Sequence, residues 1–242
     1  MLCLIGLGFG AKGITLKGLE CTKKCDIIYL DSYTSRFDCS ISDLEKLFNK
    51  KIILADRKLL EEGFDAVLKK AKQKNICILI PGTPLFATTH INLILKAKKD
   101  DVKVEIINNA SVFDAIGITG LQLYNFGKIT SIPFENKDVK TPIEVLDMNT
   151  KNNLHTLFLL DLEPDKNRYM TVNDALNYLL KNGMEDRLAV GCATLGTENE
   201  INVANAKELF KVKFKNFPQC LIIPAKKLHF MEEEVLGLYK LK

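Results

Sequence analysis

Three glycines near the start of the chain stand where a phosphate could be cradled: Gly8, Gly10 and Gly13 spell G-x-G-x-x-G directly after the apolar run of residues 2–7. Glycines let backbone approach a phosphate closely, and the N-terminus of a following helix attracts its charge. A carboxylate at the end of the next strand, here Asp31, can then hold ribose hydroxyls. Read by itself, the motif predicts a dinucleotide such as NAD. Two features weigh against that reading. The helical pattern begins only near Thr15, which leaves Ala11, Lys12 and Gly13 in a loop, and a second glycine turn, Pro81-Gly82, appears later. On the motif alone a different nucleotide-like cofactor, or simply a tight exit from a strand, stays open.

Other reactive side chains are sparse. Seven cysteines without regular spacing give no disulfide framework and point to a reducing, cytoplasmic setting. Cys21 and Cys25 are four apart on a helix with no histidine nearby, so no metal is expected. His90 and His155 read as structural hydrogen-bonding groups, and the catalytic residue is unknown, because no side chain stands out as a general base. The formal charge of +4 comes from scattered lysines rather than a basic run, which argues against direct nucleic-acid binding.

These groups have to be held by something. The chain has 242 residues, 47% hydrophobic and 26% charged, a balance that buries a substantial core and leaves no apolar run long enough to span a membrane. The N-terminal run breaks at glycines and carries no basic leader, so it reads as a first strand rather than a signal peptide. Residues 2–7, Leu16–Lys24 and 26–30 make a strand, a helix and a strand. A helix over residues 58–74 leads into a strand over Ile76–Ile80, followed by a helix over 89–99 and a strand over 102–107. Short aliphatic strands alternating with amphipathic helices predict a buried, largely parallel sheet in a first α/β lobe, residues 1–110. Ser111 and Asp114 have capping-box spacing for a helix over 112–118 that opens the second lobe, residues 111–242. There, strands over 154–162, Leu188–Ala193 and 220–224, with a helix capped by Thr171 and Asp174, predict a second sheet. Pro133 and Pro142 punctuate a polar stretch, 132–153, expected at the surface.

The segment 81–90, Pro-Gly-Thr-Pro-Leu-Phe-Ala-Thr-Thr-His, is followed by Asn109-Ala110-Ser111 and by 116–127, Ile-Gly-Ile-Thr-Gly-Leu-Gln-Leu-Tyr-Asn-Phe-Gly. With residues 4–8, 154–161, 168–171 and 228–232, these runs resemble the diphthine synthase family of the tetrapyrrole methylase superfamily over almost the whole chain. The resemblance implies an α/β protein with two α/β lobes of the tetrapyrrole-methylase-like fold and a cofactor cleft between them. It implies S-adenosylmethionine as methyl donor, leaving S-adenosylhomocysteine. The acceptor would be the amine of a 3-amino-3-carboxypropyl arm on a histidine of translation elongation factor 2, and the enzyme a homodimer. Carried over by position, the cofactor contacts fall at Phe9, Thr83, Phe86, Ser111, Val112, Leu160, Ala204 and His229. Each has a plainer role open to it: Ser111 as a helix cap, Val112 and Leu160 as core. Two departures stand out. The family usually has aspartate where this chain has Thr83, and an arginine often stands where it has Thr194. A methylase of the same fold acting on a tetrapyrrole or other small substrate, or a catalytically impaired cofactor-binding homologue, is the alternative.

Overall fold

In the first unit the chain runs β1 (Leu2–Gly6), α1 (Leu16–Lys24), β2 (Ile27–Asp31), α2 (Ile41–Phe48), β3 (Ile52–Ala55), α3 (Phe64–Ala71), β4 (Ile76–Ile80), α4 (Ile91–Lys99) and β5 (Val104–Ile107). The strands form one parallel sheet in the order β3-β2-β4-β1-β5. The computed structural model describes residues 1–10, 12–37, 39–86 and 89–241. Ala11, Ala87 and Thr88, which belong to the two motifs above, lie outside the described residues, as do Asp38 and Lys242.

Both faces of this sheet are covered, and this is why β1 and β4 are apolar at nearly every position instead of alternating. Leu2 and Leu4 pack with Phe64, Val67, Leu93 and Ile94 from α3 and α4. Cys3 and Ile5, pointing the other way, pack with Cys21, Cys25, Leu44 and Phe48 from α1 and α2. Each such fully buried aliphatic side chain contributes roughly 1.5–3 kcal/mol. Right-handed crossovers put α1 and α4 on opposite faces, because β1 connects to β2 on one side while β4 connects to β5 on the other. The chain therefore leaves the adjacent strands β1 and β4 toward helices on opposite faces, and their carboxyl ends mark the switch point where such sheets bind ligands. Thr15 starts α1 by accepting from Gly18 N at 3.0 Å, and the Lys50 ammonium closes it by donating to the carbonyls of Thr22, Lys23 and Cys25 at 3.1, 2.7 and 2.6 Å.

The second unit contains β6 (Thr130–Ile132), α6 (Thr141–Lys151), β7 (Thr156–Leu160), β8 (Leu162–Glu163), β9 (Arg168–Tyr169), α7 (Val172–Lys181), β10 (Leu188–Ala193), β11 (Glu200–Asn205), α8 (Ala206–Leu209), β12 (Gln219–Ile223) and α9 (Phe230–Gly237), with α5 (Val112–Ala115) at the junction of the two. Its main sheet, β11-β10-β12-β7-β6, is antiparallel except for the β6–β7 pair. The units comprise Met1–Val112 with Pro164–Lys166, and Phe113–Glu163 with Asn167–Lys242.

Several local expectations change. The helix over 58–74 divides at Gly63 into a π turn, Lys58–Glu62, and α3. The strand over 154–162 stops at Leu160, since the Asp161 carboxylate accepts from its neighbour Leu162 N at 2.9 Å and from Phe134 N at 3.1 Å. The helix over 112–118 is one α turn, α5, that tightens into a 3-10 turn at Ile116–Thr119. The 132–153 stretch is not merely surface: Pro142 sits in the first turn of α6, where its missing N–H costs nothing, and Ile132, Val145 and Leu146 are buried. The expected cap at Thr171 is present as a reciprocal capping box with Asp174.

Candidate functional site

At the carboxyl end of the parallel sheet the loops leaving β1 and β4 close on each other. Gly8 N donates to Gly82 O at 2.9 Å and Gly82 N to Gly8 O at 3.1 Å. Such an approach leaves no room for side chains. A Cβ on Gly6 would stand 2.7 Å from Gly82 O, and one on Gly8, whose φ is +64°, would stand 2.7 Å from the Asn109 side-chain oxygen. Gly8 of the fingerprint is thus engaged with the neighbouring loop after β4.

Asn109, in the loop after β5, ties the three loops together. Its Nδ2 donates to Gly6 O and Gly13 O, both at 2.9 Å, its Oδ1 accepts from Ala110 N at 2.8 Å, and its own N–H donates to Thr83 Oγ1 at 3.0 Å. The motifs assign Asn109 no role, although it opens the Asn109-Ala110-Ser111 run. An asparagine beside a strand end is compatible with many turns, and only the fold shows which backbone groups it meets.

Around this knot stand five of the expected contacts. Phe9, Thr83, Phe86 and Val112 are half-buried, while Ser111 is buried. Between Thr83 and Phe86, Leu85 holds a φ of +69°, a conformation uncommon for a non-glycine residue and often met where a loop is shaped for a ligand. Asp31 has no oxygen left for a ribose. Its Oδ1 accepts from Tyr33 N at 3.0 Å and Thr34 N at 3.2 Å, its Oδ2 accepts from the Thr34 hydroxyl, and the whole side chain is buried. The ring of His90 brings Nε2 to 2.9 Å from Asp31 Oδ2, close enough for an ion pair but not aligned as an N–H···O bond. Beside it the Tyr33 hydroxyl meets Thr89 Oγ1 at 3.0 Å and Glu61 at 3.3 Å, and burial pushes its phenol up. The dinucleotide reading loses its carboxylate here.

The other three expected contacts belong to the second unit. Leu160 ends β7 and Ala204 lies in β11, both inside the core cluster of that unit. With β12 and β10 between them they are roughly 14 Å apart across the sheet. His229 is exposed and caps α9: Nδ1 accepts from Met231 N at 3.3 Å, while the Glu232 carboxylate returns to His229 N at 2.9 Å. Glu232 is itself held by Gln122 N at 2.9 Å and by His155 Nε2 at 3.0 Å, and His155 Nδ1 accepts from Ala225 N at 2.9 Å. That acceptor role leaves the His155 proton on Nε2, so a neutral ring donates to a carboxylate. Burial holds the His155 ring below its ordinary range against the pull of Glu232. Burial also pushes the Glu232 carboxyl up, but the two amides and the ring outweigh it and hold it below its own range.

A family model described as Tetrapyrrole (Corrin/Porphyrin) Methylases matches residues 1–209. A "Probable diphthine methyl ester synthase" of Arabidopsis thaliana is 40% identical over 275 residues, covering 100% of this chain and 99% of the relative. A "Diphthine synthase" of Methanocaldococcus jannaschii is 41% identical over 251 residues, covering 98% of this chain and 97% of the relative. The chain belongs to the diphthine synthase family of the tetrapyrrole methylases. A solved diphthine synthase structure superposes with a TM-score of 0.93 at 35% identity, covering 99% of this chain and 95% of the other, in keeping with the two-sheet α/β fold.

The chemistry of a diphthine synthase calls for a methyl donor, and the loops of the first unit leave room for a ligand. Gly82 faces open space: a Cβ there would have only Ala110 O within 4 Å, at 3.8 Å. Half-buried Phe9, Phe86 and Val112 offer apolar surface beside it, and Ser111 and Thr83 offer hydroxyls. The Thr83 hydroxyl holds the β5 loop through Asn109 N.

Proposed function

We propose that this protein methylates the amine of the 3-amino-3-carboxypropyl histidine on translation elongation factor 2, with S-adenosylmethionine as donor, to give diphthine. The observation that carries this reading is the full-length match, 98–100% of the chain at 40–41% identity, to relatives named for diphthine chemistry. Phe9, Thr83, Phe86, Ser111 and Val112 would hold the donor on the loops of the first unit. Leu160, Ala204 and His229 are the contacts that the family resemblance adds from the second.

When bound, the donor supplies a sulfonium methyl open to in-line displacement. The protein's part is positioning: Asn109 fixes three loops in one arrangement, and Phe9, Phe86 and Val112 exclude water from the reacting atoms. The accepting amine has to be neutral to attack, and its proton leaves to solvent. His155 and Glu232 take no part, being closed on each other and on backbone.

The protein works in the cytoplasm as a homodimer in this reading. Large exposed apolar side chains in the second unit, Phe230 on α9, Leu238 just after it and Tyr124, at 67, 78 and 80% exposure, support self-association. Among the described residues no helix is long and apolar enough to cross a membrane.

The test is to incubate the purified protein with S-adenosylmethionine and elongation factor 2 carrying the unmethylated arm, and to follow the factor's intact mass. Successive methyl increments are expected. Cofactor binding without any increment would transfer the assignment to a small-molecule methylase of the same family, and failure to bind cofactor would remove the donor itself.

A further inference from the structure

Three sulfurs converge inside the first unit, away from the strand ends that the methylation reading uses. Cys3 comes from β1, Cys21 from α1, and Cys25 from the residue that ends α1; all three are buried. Their Sγ atoms lie within 4.8 Å of one another, and those of Cys3 and Cys21 are 3.1 Å apart. The spacing Cys21-x-x-x-Cys25 places two thiols one turn apart on the helix face that covers the sheet, and the strand beneath supplies the third. Ile5, Leu7, Ile28, Leu44 and Phe48 belong to the same packed layer, so the surroundings are apolar. Among the described residues no histidine or carboxylate joins the group.

A single buried cysteine packs as a small apolar side chain. Three from separate points of the chain, meeting within one coordination sphere, form a ligand set. With metal–sulfur bonds of about 2.3 Å, sulfurs in a trigonal plane stand roughly 4 Å apart, so the closest pair has to open by only about 1 Å. Zinc takes four ligands, and the other sulfur of this layer, Cys77 of β4, bonds Cys25 but lies outside the three-sulfur set. Thiolates select soft ions, and of these copper(I) accepts three-coordination.

We propose that Cys3, Cys21 and Cys25 bind one copper(I) ion. Cys25, itself 1% exposed, also borders an open surface depression of about 460 Å³ together with Asp26, Ile27, Ile28, Lys50, Lys51 and Ile53, so one edge of the ligand set lies near the surface. Lys50 holds the wall of that depression in place through the carbonyls of Thr22, Lys23 and Cys25. On binding, each S–H bond replaced by a copper–sulfur bond releases its proton to the buffer, and no electron moves because the ion arrives already reduced. Binding is independent of the methylation assignment.

The full-length reduced protein, titrated without oxygen with copper(I) held by a chromogenic chelator, is expected to withdraw one equivalent. X-ray absorption on the loaded protein should show three sulfur neighbours. Cys21→Ser should weaken uptake at least a hundredfold, beyond the roughly 10–100-fold that loss of an outer-shell partner costs. The double variant Cys192→Ser, Cys220→Ser removes the facing pair in β10 and β12 and should leave that equivalent in place. No withdrawal from the chelator would overturn the proposal and leave the thiols as packing groups. So would uptake that survives Cys21→Ser, or a four-sulfur shell that draws in Cys77. The sulfur count on the unaltered protein decides the matter even if Cys21→Ser fails to fold.

Discussion

In the first unit the half-buried Asn109 side chain bonds only to backbone, joining the loop after β1 to the loop after β5, while Phe9, Thr83 and Phe86 beside it stay half-buried. In the second, His155 and Glu232 are each 1% exposed and close on each other and on the amides of Ala225, Gln122 and His229. Both are polar groups that knit segments distant in sequence. The difference lies in what is left over. Asn109 sets loop shape at an open strand end, whereas the His155–Glu232 pair is sealed and sets the start of α9. Change at the first should register in ligand binding, and change at the second in stability.

The largest effect is expected from His155→Ala. It strips a donor from a buried carboxylate and an acceptor from Ala225 N, a loss of about 3 kcal/mol. For a chain of this size that lowers Tm by roughly 10 °C, readable by calorimetry. Cofactor affinity measured well below the transition should be unchanged, and an affinity loss at unchanged Tm would break the comparison. Asn109→Ala comes next and should show the opposite pattern. Three side-chain bonds go, and at about 1 kcal/mol each the organised loop becomes a minor state, weakening S-adenosylhomocysteine binding about a hundredfold by titration calorimetry. Its Tm should fall by less than that of His155→Ala.

What the sequence disclosed divides along the same line. The parallel sheet was legible because β1 and β4 are apolar throughout and helices alternate with them, a pattern set by burial of both faces. The capping box at Thr171 and Asp174 was legible because it is local. Hidden features depend on contacts distant in the chain. β3, with Ile53 and Leu54 exposed at the sheet edge, lacks a burial pattern, and the break of the 58–74 helix at Gly63 is a tertiary choice. The glycine fingerprint was visible but its meaning was not. The partner of Gly8 is Gly82 and that of Asp31 is its own turn, neither of which a motif can state. Cys21 and Cys25 could be paired from their spacing, but Cys3 could join them only once β1 lay beneath α1.

A smaller effect separates the units by pH. His155 titrates in the fold below its ordinary 6.5, so as pH falls the unfolded chain takes up the proton first. The stability gained by burying the neutral ring is complete above about pH 6.5 and drains away below it. Glu232, held below its ordinary 4.5, adds a second loss that begins only below about pH 4.5. Urea unfolding across this range should show the upper step in the unaltered protein and not in His155→Asn.

The smallest expected change is the most informative about the donor. Thr83→Asp introduces the negative charge that the family resemblance leads one to expect at this position. The new carboxylate can still accept from Asn109 N, as the hydroxyl does, so the three-loop knot survives. Because this loop is only half-buried, the added charge is screened and is worth about 0.2–1 kcal/mol toward a cationic ligand, at most about fivefold in affinity. S-adenosylmethionine carries a sulfonium and S-adenosylhomocysteine a neutral thioether, so the gain should appear for the first and be largely absent for the second. Equal gains would mean that the aspartate acts through loop shape, joining Thr83 to Asn109 as a positioning group. No gain for either would place the sulfonium away from residue 83.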